Sequence, residues 1–176
     1  MRWDNLTLSD DSAQDALFGA SDVITRTFDT PEFRAKNPFG QIPLIDDDGV
    51  VVSESGAILL YLARKSGKLM PRDLAGEAQV LRWSITALTT IEVPVLSLWF
   101  VNLSGGKGSK PSDALHDWAE MRLKELNGWL TNRQFIATED FTVADILMTH
   151  VLDAGTQQEM LKPYAHILAY RARCTG

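Results

Sequence analysis

Asn37-Pro38-Phe39-Gly40-Gln41-Ile42-Pro43-Leu44-Ile45-Asp46-Asp47-Asp48-Gly49-Val50-Val51-Val52-Ser53-Glu54, continued by Ser55-Gly56-Ala57-Ile58, reads as a loop, two strands and a helix start in unbroken order. Pro38 and Gly40 make the loop, and Gln41-Ile42-Pro43 runs into the apolar pair Leu44-Ile45. Asp47-Asp48-Gly49 has the chemistry of a hairpin turn. The β-branched run Val50-Val51-Val52 predicts the returning strand. Ser53-Glu54-Ser55-Gly56 ends that strand and opens a helix with Ile58, Leu59 and Leu62 on its apolar face. A proline at strand entry donates no ladder hydrogen bond. A cis bond there turns the preceding N–H and C=O outward to meet another extended chain. Serine and glutamate at a helix start offer donors to a carboxylate, helped by the helix dipole. Together these features describe a pocket for a small acidic peptide. An ordinary hairpin followed by a capped helix is the plainer reading of the same residues.

On this string the chain resembles the glutathione S-transferase family, of the bacterial or theta-like type. The resemblance implies an α/β thioredoxin-like N-terminal domain and an all-α C-terminal domain. It implies glutathione as co-substrate, held by Gln41, Ile42, Pro43, Glu54 and Ser55, with Lys36 approaching the glycine carboxylate. The family's apolar-substrate pocket uses residues of the first long helix of the second domain, which makes Trp83 and Ile91 candidates here.

Composition agrees. The 176 residues are 45% hydrophobic and 23% charged, enough for two small domains. A net charge of −6 without a Lys/Arg cluster argues against nucleic acid and anionic membranes as partners. The single cysteine, Cys174, excludes an intrachain disulfide, and no Cys/His spacing suggests a metal. The N-terminus lacks the basic-then-apolar order of a signal peptide, and no run is read as approaching the ~18 apolar residues of a membrane span. A cytoplasmic protein is expected.

Along the chain, Val23-Ile24-Thr25-Arg26-Thr27-Phe28 alternates like a half-buried strand. Thr30-Pro31 opens a short helix, with threonine as cap and proline in the first turn. Gly67 is placed to close the helix that starts near Gly56. The domains are expected at 1–66 and 74–176, joined by a linker over 67–73. Val80, Trp83, Ala87, Ile91, Val95 and Leu98 recur at helical period, with Pro94 expected to kink or interrupt the run. Residues 104–112 read as an exposed loop, and Leu115, Trp118, Met121, Leu123, Leu126 and Trp129 mark an amphipathic helix over 113–130. Trp83, Trp99 and Phe100 read first as core aromatics, and the isolated His116, His150 and His166 as surface or partly buried side chains.

Phe141-Thr142-Val143-Ala144-Asp145-Ile146 combines a capping box, Thr142 with Asp145, and a hydrophobic staple, Phe141 with Ile146. Asp145 is therefore read as a folding residue rather than a catalytic acid. The family carries a similar box in a buried helix of its second domain, and the resemblance extends over about residues 23–173.

Two departures bear on activity. Only 22 residues precede Val23, which suggests a shortened β-α-β unit built on Leu6-Thr7-Leu8, with a non-homologous start as the competing reading. The chain also stops early, where family members usually continue through another helix. A hydroxyl near the sulfur stabilises the attacking thiolate. Ser12 is the best-placed candidate, with Ser9 behind it, and either also suits a helix cap or a surface. The reading is a homodimeric, detoxifying transferase that joins the glutathione thiolate to a small apolar electrophile. Glutathione-dependent reduction or isomerisation would use the same site. The alternative is a non-catalytic glutathione-binding or scaffolding protein with the same fold.

Overall fold

The computed structural model describes residues 30–157 and 159–176. The expected strands at Leu6-Thr7-Leu8 and at Val23 to Phe28, and the candidates Ser9 and Ser12, lie outside the described residues. The chain divides into two compact units with the boundary between Ile58 and Leu59, inside a helix.

In the first unit, helix α1 (Pro31–Lys36) starts where sequence rules place it. Thr30 caps it, accepting a hydrogen bond from the Phe33 N–H at 3.2 Å, and Pro31 occupies the first turn. Strands β1 (Leu44–Asp47) and β2 (Val50–Ser53) form an antiparallel pair in which Leu44 faces Ser53 and Asp47 faces Val50. Asp48 and Gly49 connect them with φ of 52° and 90°. Positive φ at both central residues is the hairpin geometry that follows the right-handed strand twist, and Asp-Gly tolerates it. Helix α2 (Ser55–Ser66) follows, and Gly67, at φ 67°, donates its N–H to the Ala63 carbonyl and ends it as expected.

The second unit is helical. Asp73 caps α3 (Leu74–Thr86) through the Gly76 N–H at 2.9 Å. A π-helical turn, Ala87–Ile91, leads without a break into α4 (Glu92–Val101), and a second, Asn102–Gly106, extends it. Pro94 therefore does not interrupt the helix. Its missing N–H and its ring disturb the ladder one turn earlier, where the backbone widens to i→i+5 bonding and continues. Helix α5 (Lys110–Trp129) is capped by Ser109. It begins inside the stretch expected to be loop, because Ser109-Lys110-Pro111 supplies a cap and a first-turn proline that the glycines around it obscure. Thr142 opens α6 (Val143–Gln157), and α7 (Ala165–Thr175) completes the described chain.

Val80, Trp83, Ala87, Ile91, Val95 and Leu98 are all buried, so the helical period in the sequence is the core face of α3 and α4. Leu123 and Leu126 from α5, Leu147, Met148 and Val151 from α6, and Ile167 and Tyr170 from α7 close over it. Burying each large aliphatic side chain contributes about 1.5–3 kcal/mol, which outweighs any single surface contact in the unit. Trp118 and Met121 face outward on α5. Phe100, expected in the core, is 56% exposed and meets Trp99 edge-on at 5.1 Å.

The continuous helix Leu74–Gly106 is 33 residues long and holds a window of mean hydropathy 1.5, the length and apolarity of a membrane span, contrary to the expectation that no run approaches one. Its apolarity is two-sided. One stripe is the core face, and Ile85, Val93, Leu96 and Phe100 form an exposed one. Glu92, half-buried beside Pro94, has its carboxyl pushed above the usual range by burial, with His150 pulling the other way.

Candidate functional site

The hairpin register builds the site. Because Leu44 faces Ser53, the residue before β1 and the residues after β2 meet at the open end of the hairpin. That end presents Gln41, Ile42 and Pro43 from one chain segment and Glu54 and Ser55 from the other. All five are exposed. The Ile42–Pro43 bond is cis. Among the described residues, neither backbone group of Ile42 is hydrogen-bonded.

Glu54 is held at φ 72°, a left-handed conformation that a side chain of this size rarely adopts. It is the single residue between β2 and α2, and its carbonyl accepts the Ile58 N–H at 2.9 Å. The strained residue turns the chain from strand into helix with no loop, so the first N–H groups of α2 open directly beside the hairpin end. Those N–H groups have no partner within the helix, and with the helix dipole they suit a carboxylate. Strain of this kind, about 1–3 kcal/mol, concentrates at ligand sites.

Lys36, at the end of α1, places its ammonium 2.6 Å from the Asp46 carboxylate on β1. This bond, with the Gly49 N–H on the other carboxylate oxygen, holds the Asp46 carboxyl below the usual carboxylate range. The Lys36 ammonium thus meets the hairpin through a half-exposed surface pair. Trp83 and Ile91, candidates for an apolar-substrate pocket, are 6% and 3% exposed and sit in the helical core. The Trp83 ring packs against Trp129 at 4.9 Å, with the Arg82 guanidinium 5.1 Å from its centroid. They are core residues because the periodicity that suggested the helix also turns them inward. Sequence reasoning missed Asn37, which is buried and braces the loop ahead of Ile42. Its one signal was an asparagine just past a helix end and before a proline.

In the helical unit, Asp145 is fully buried and accepts four hydrogen bonds. They come from the Ile136 N–H and Thr142 N–H at 2.8 Å each, and from the Thr142 and Tyr170 hydroxyls at 3.0 Å each. One half of the expected box is reversed, since the Thr142 hydroxyl donates to the carboxylate and the Asp145 N–H goes to the Thr142 carbonyl. A carboxylate is the stronger acceptor and draws the hydroxyl proton. Phe141 packs edge-on against Phe135 at 5.6 Å.

The family model for the glutathione S-transferase N-terminal domain matches residues 22–64, and that for the C-terminal domain matches residues 88–176. The chain belongs to the glutathione S-transferase family. Its fold is a thioredoxin-like N-terminal domain followed by an all-helical one. It is 33% identical over 154 residues to glutathione S-transferase D7 of Anopheles gambiae, covering 82% of this chain and 67% of that one. It superposes with a TM-score of 0.75 and 30% identity on a delta-class glutathione transferase of Nilaparvata lugens, covering 82% of this chain and 68% of that structure. It is also 33% identical over 126 residues to human elongation factor 1-gamma, covering 70% of this chain but 28% of that one. The chain spans about two thirds of the length of the two transferases. The hairpin lies within the match to the N-terminal domain, and the Asp145 cap within the match to the C-terminal one.

Proposed function

We propose that this glutathione S-transferase binds glutathione at the open end of the hairpin and transfers its thiolate to a small apolar electrophile. The observation that carries the reading is the register that sets the cis Ile42–Pro43 segment beside the left-handed Glu54 and the N-terminus of α2. In this assignment the backbone of Ile42 pairs with the extended tripeptide. The Ser55 hydroxyl and the first N–H groups of α2 take its γ-glutamyl carboxylate, and Glu54 takes the adjacent ammonium. Gln41 and Pro43 shape the groove. A hydroxyl from the segment around Ser12 is assigned to the thiolate.

Ser55→Ala removes one charge-assisted hydrogen bond, worth about 1.5–3 kcal/mol. Calorimetry is expected to show glutathione binding weakened by about 10- to 150-fold. Equal affinity in wild type and Ser55→Ala would refute the site.

The similarity to elongation factor 1-gamma favours a second reading, a glutathione-binding or scaffolding protein without turnover. Turnover of a generic aryl halide by the wild type supports the transferase. Glutathione binding with no turnover under the same conditions supports the scaffold.

We also assign the protein to a cytoplasmic homodimer, in keeping with the exposed apolar stripe Ile85, Val93, Leu96 and Phe100. Light scattering at micromolar concentration is expected to give twice the 19.5 kDa chain mass, and a mass of one chain would refute the dimer.

A further inference from the structure

Among the described residues up to Ile58, Asn37 is the only buried polar side chain, at 2% exposure. Each of its four polar groups has a partner. Its N–H donates to the Phe33 carbonyl at 2.8 Å and ends α1. Its carbonyl accepts the Gly40 N–H at 3.0 Å, and its Oδ1 accepts the Phe39 N–H at 3.1 Å, a side-chain turn closing two residues on. Its Nδ2 donates to the Gln41 carbonyl at 2.7 Å. Three of these bonds therefore organise residues 39–41. From outside, Arg34 donates to the Pro38 carbonyl at 2.9 Å, and its guanidinium lies against Gly40, which stands at φ 65°.

The bond to Gln41 has a consequence one atom further along. The Gln41 carbonyl and the Ile42 N–H belong to the same peptide group, which is planar and trans. In such a group the C=O and N–H point in opposite directions. Drawing the carbonyl inward onto a buried amide therefore turns the Ile42 N–H outward, where no described residue engages it.

We propose that Asn37 is a positioning residue for the tripeptide. Its Nδ2 fixes the orientation of the Gln41–Ile42 peptide group, so that the Ile42 N–H is already aimed at an extended ligand before binding. This assignment rests on glutathione being bound at the hairpin end. Preorganisation of this sort lowers the ordering cost of association without adding a contact.

Asn37→Asp and Asn37→Ser both retain an acceptor for the Phe39 N–H and lose the amide Nδ2 that donates to the Gln41 carbonyl. In both, calorimetry is expected to show glutathione binding weakened by about tenfold or more, the scale of one lost hydrogen bond together with a peptide group free to rotate. A merely structural residue would lower the melting temperature and leave the affinity of the folded fraction unchanged. Hydrogen exchange on the wild-type protein gives a second reading independent of how the variants fold. The Ile42 amide is expected to exchange rapidly without ligand and to become protected by glutathione. Wild-type affinity in both variants, or an Ile42 amide that glutathione leaves unprotected, overturns the proposal. If Ser55→Ala weakens binding in the same experiment, the site stands and the role of Asn37 alone falls. If the wild type binds no glutathione, both fall together.

Discussion

Asp145→Ala is expected to lower stability by about 3–5 kcal/mol, enough to leave the helical unit unfolded or nearly so at physiological temperature. The carboxylate is the common acceptor for two backbone N–H groups and two hydroxyls, all inside the core. Alanine leaves the Ile136 and Thr142 N–H groups without a partner where water does not reach, at about 1–3 kcal/mol each. The Tyr170 hydroxyl, also buried, loses its acceptor. In melting temperature this corresponds to a fall of roughly 6–20 °C, at about 2–4 °C per kcal/mol for a chain of this size. Asp145→Asn is expected to lie between the two, because its amide oxygen still serves one pair of donors while its NH₂ faces the other. A melting temperature within 2 or 3 °C of wild type in Asp145→Ala would show that the helix start is held by something else. Turnover per folded molecule is expected to be unchanged by either substitution, since the residue holds a cap and touches no reacting atom.

Cys174 is expected to resist alkylation in the native protein by about 100-fold relative to an ordinary exposed thiol. It lies on α7 beside Tyr170, and its thiol is pushed up to about 11. Burial is the larger cause and the negative charge of Asp145 the next, with Tyr170 and Arg173 opposing them weakly. Only the thiolate reacts. Raising the value from 9.0 to about 11 cuts the thiolate fraction at neutral pH about 100-fold. The rate of modification by iodoacetamide should therefore keep rising with pH well beyond the ordinary thiol range. Alkylation of the native protein as fast as that of the urea-unfolded chain would refute this. The linkage has a definite sign. Between about 9 and 11 the folded chain keeps a proton that the unfolded chain has lost, so stability falls as pH rises through that window. The Tyr170 hydroxyl is displaced upward by burial as well and acts in the same direction at higher pH. In Asp145→Ala the thiol loses both the nearby anion and the packing around it, and modification should accelerate. The same reagent thus reports on the cap and the thiol together.

The hairpin, the helix caps and the core stripe were legible in the sequence because each depends on neighbours within a few residues. Asp48-Gly49 permits a turn that few other pairs accept, Thr30 satisfies an N–H group three residues on, and Val80 to Leu98 recur at one helical face. Gln41 to Ser55 could be read as a ligand site for the same reason, since a two-residue turn leaves one register to the strands. Tertiary structure decided the rest. Whether an apolar residue outside that stripe meets core or open space depends on which helices pack beside it, and so Phe100, expected in the core, is out. The Lys36–Asp46 pair, ten residues apart in sequence, forms only where the chain folds back from α1 to β1. The start of α5 lay hidden in a glycine-rich stretch, and Pro94 proved tolerable because a π turn absorbed it. Asn37 is the clearest case. Its amide acquires a role only when the chain has folded back so that the Gln41 carbonyl lies within 2.7 Å, and burial removes the water that would otherwise compete for that bond.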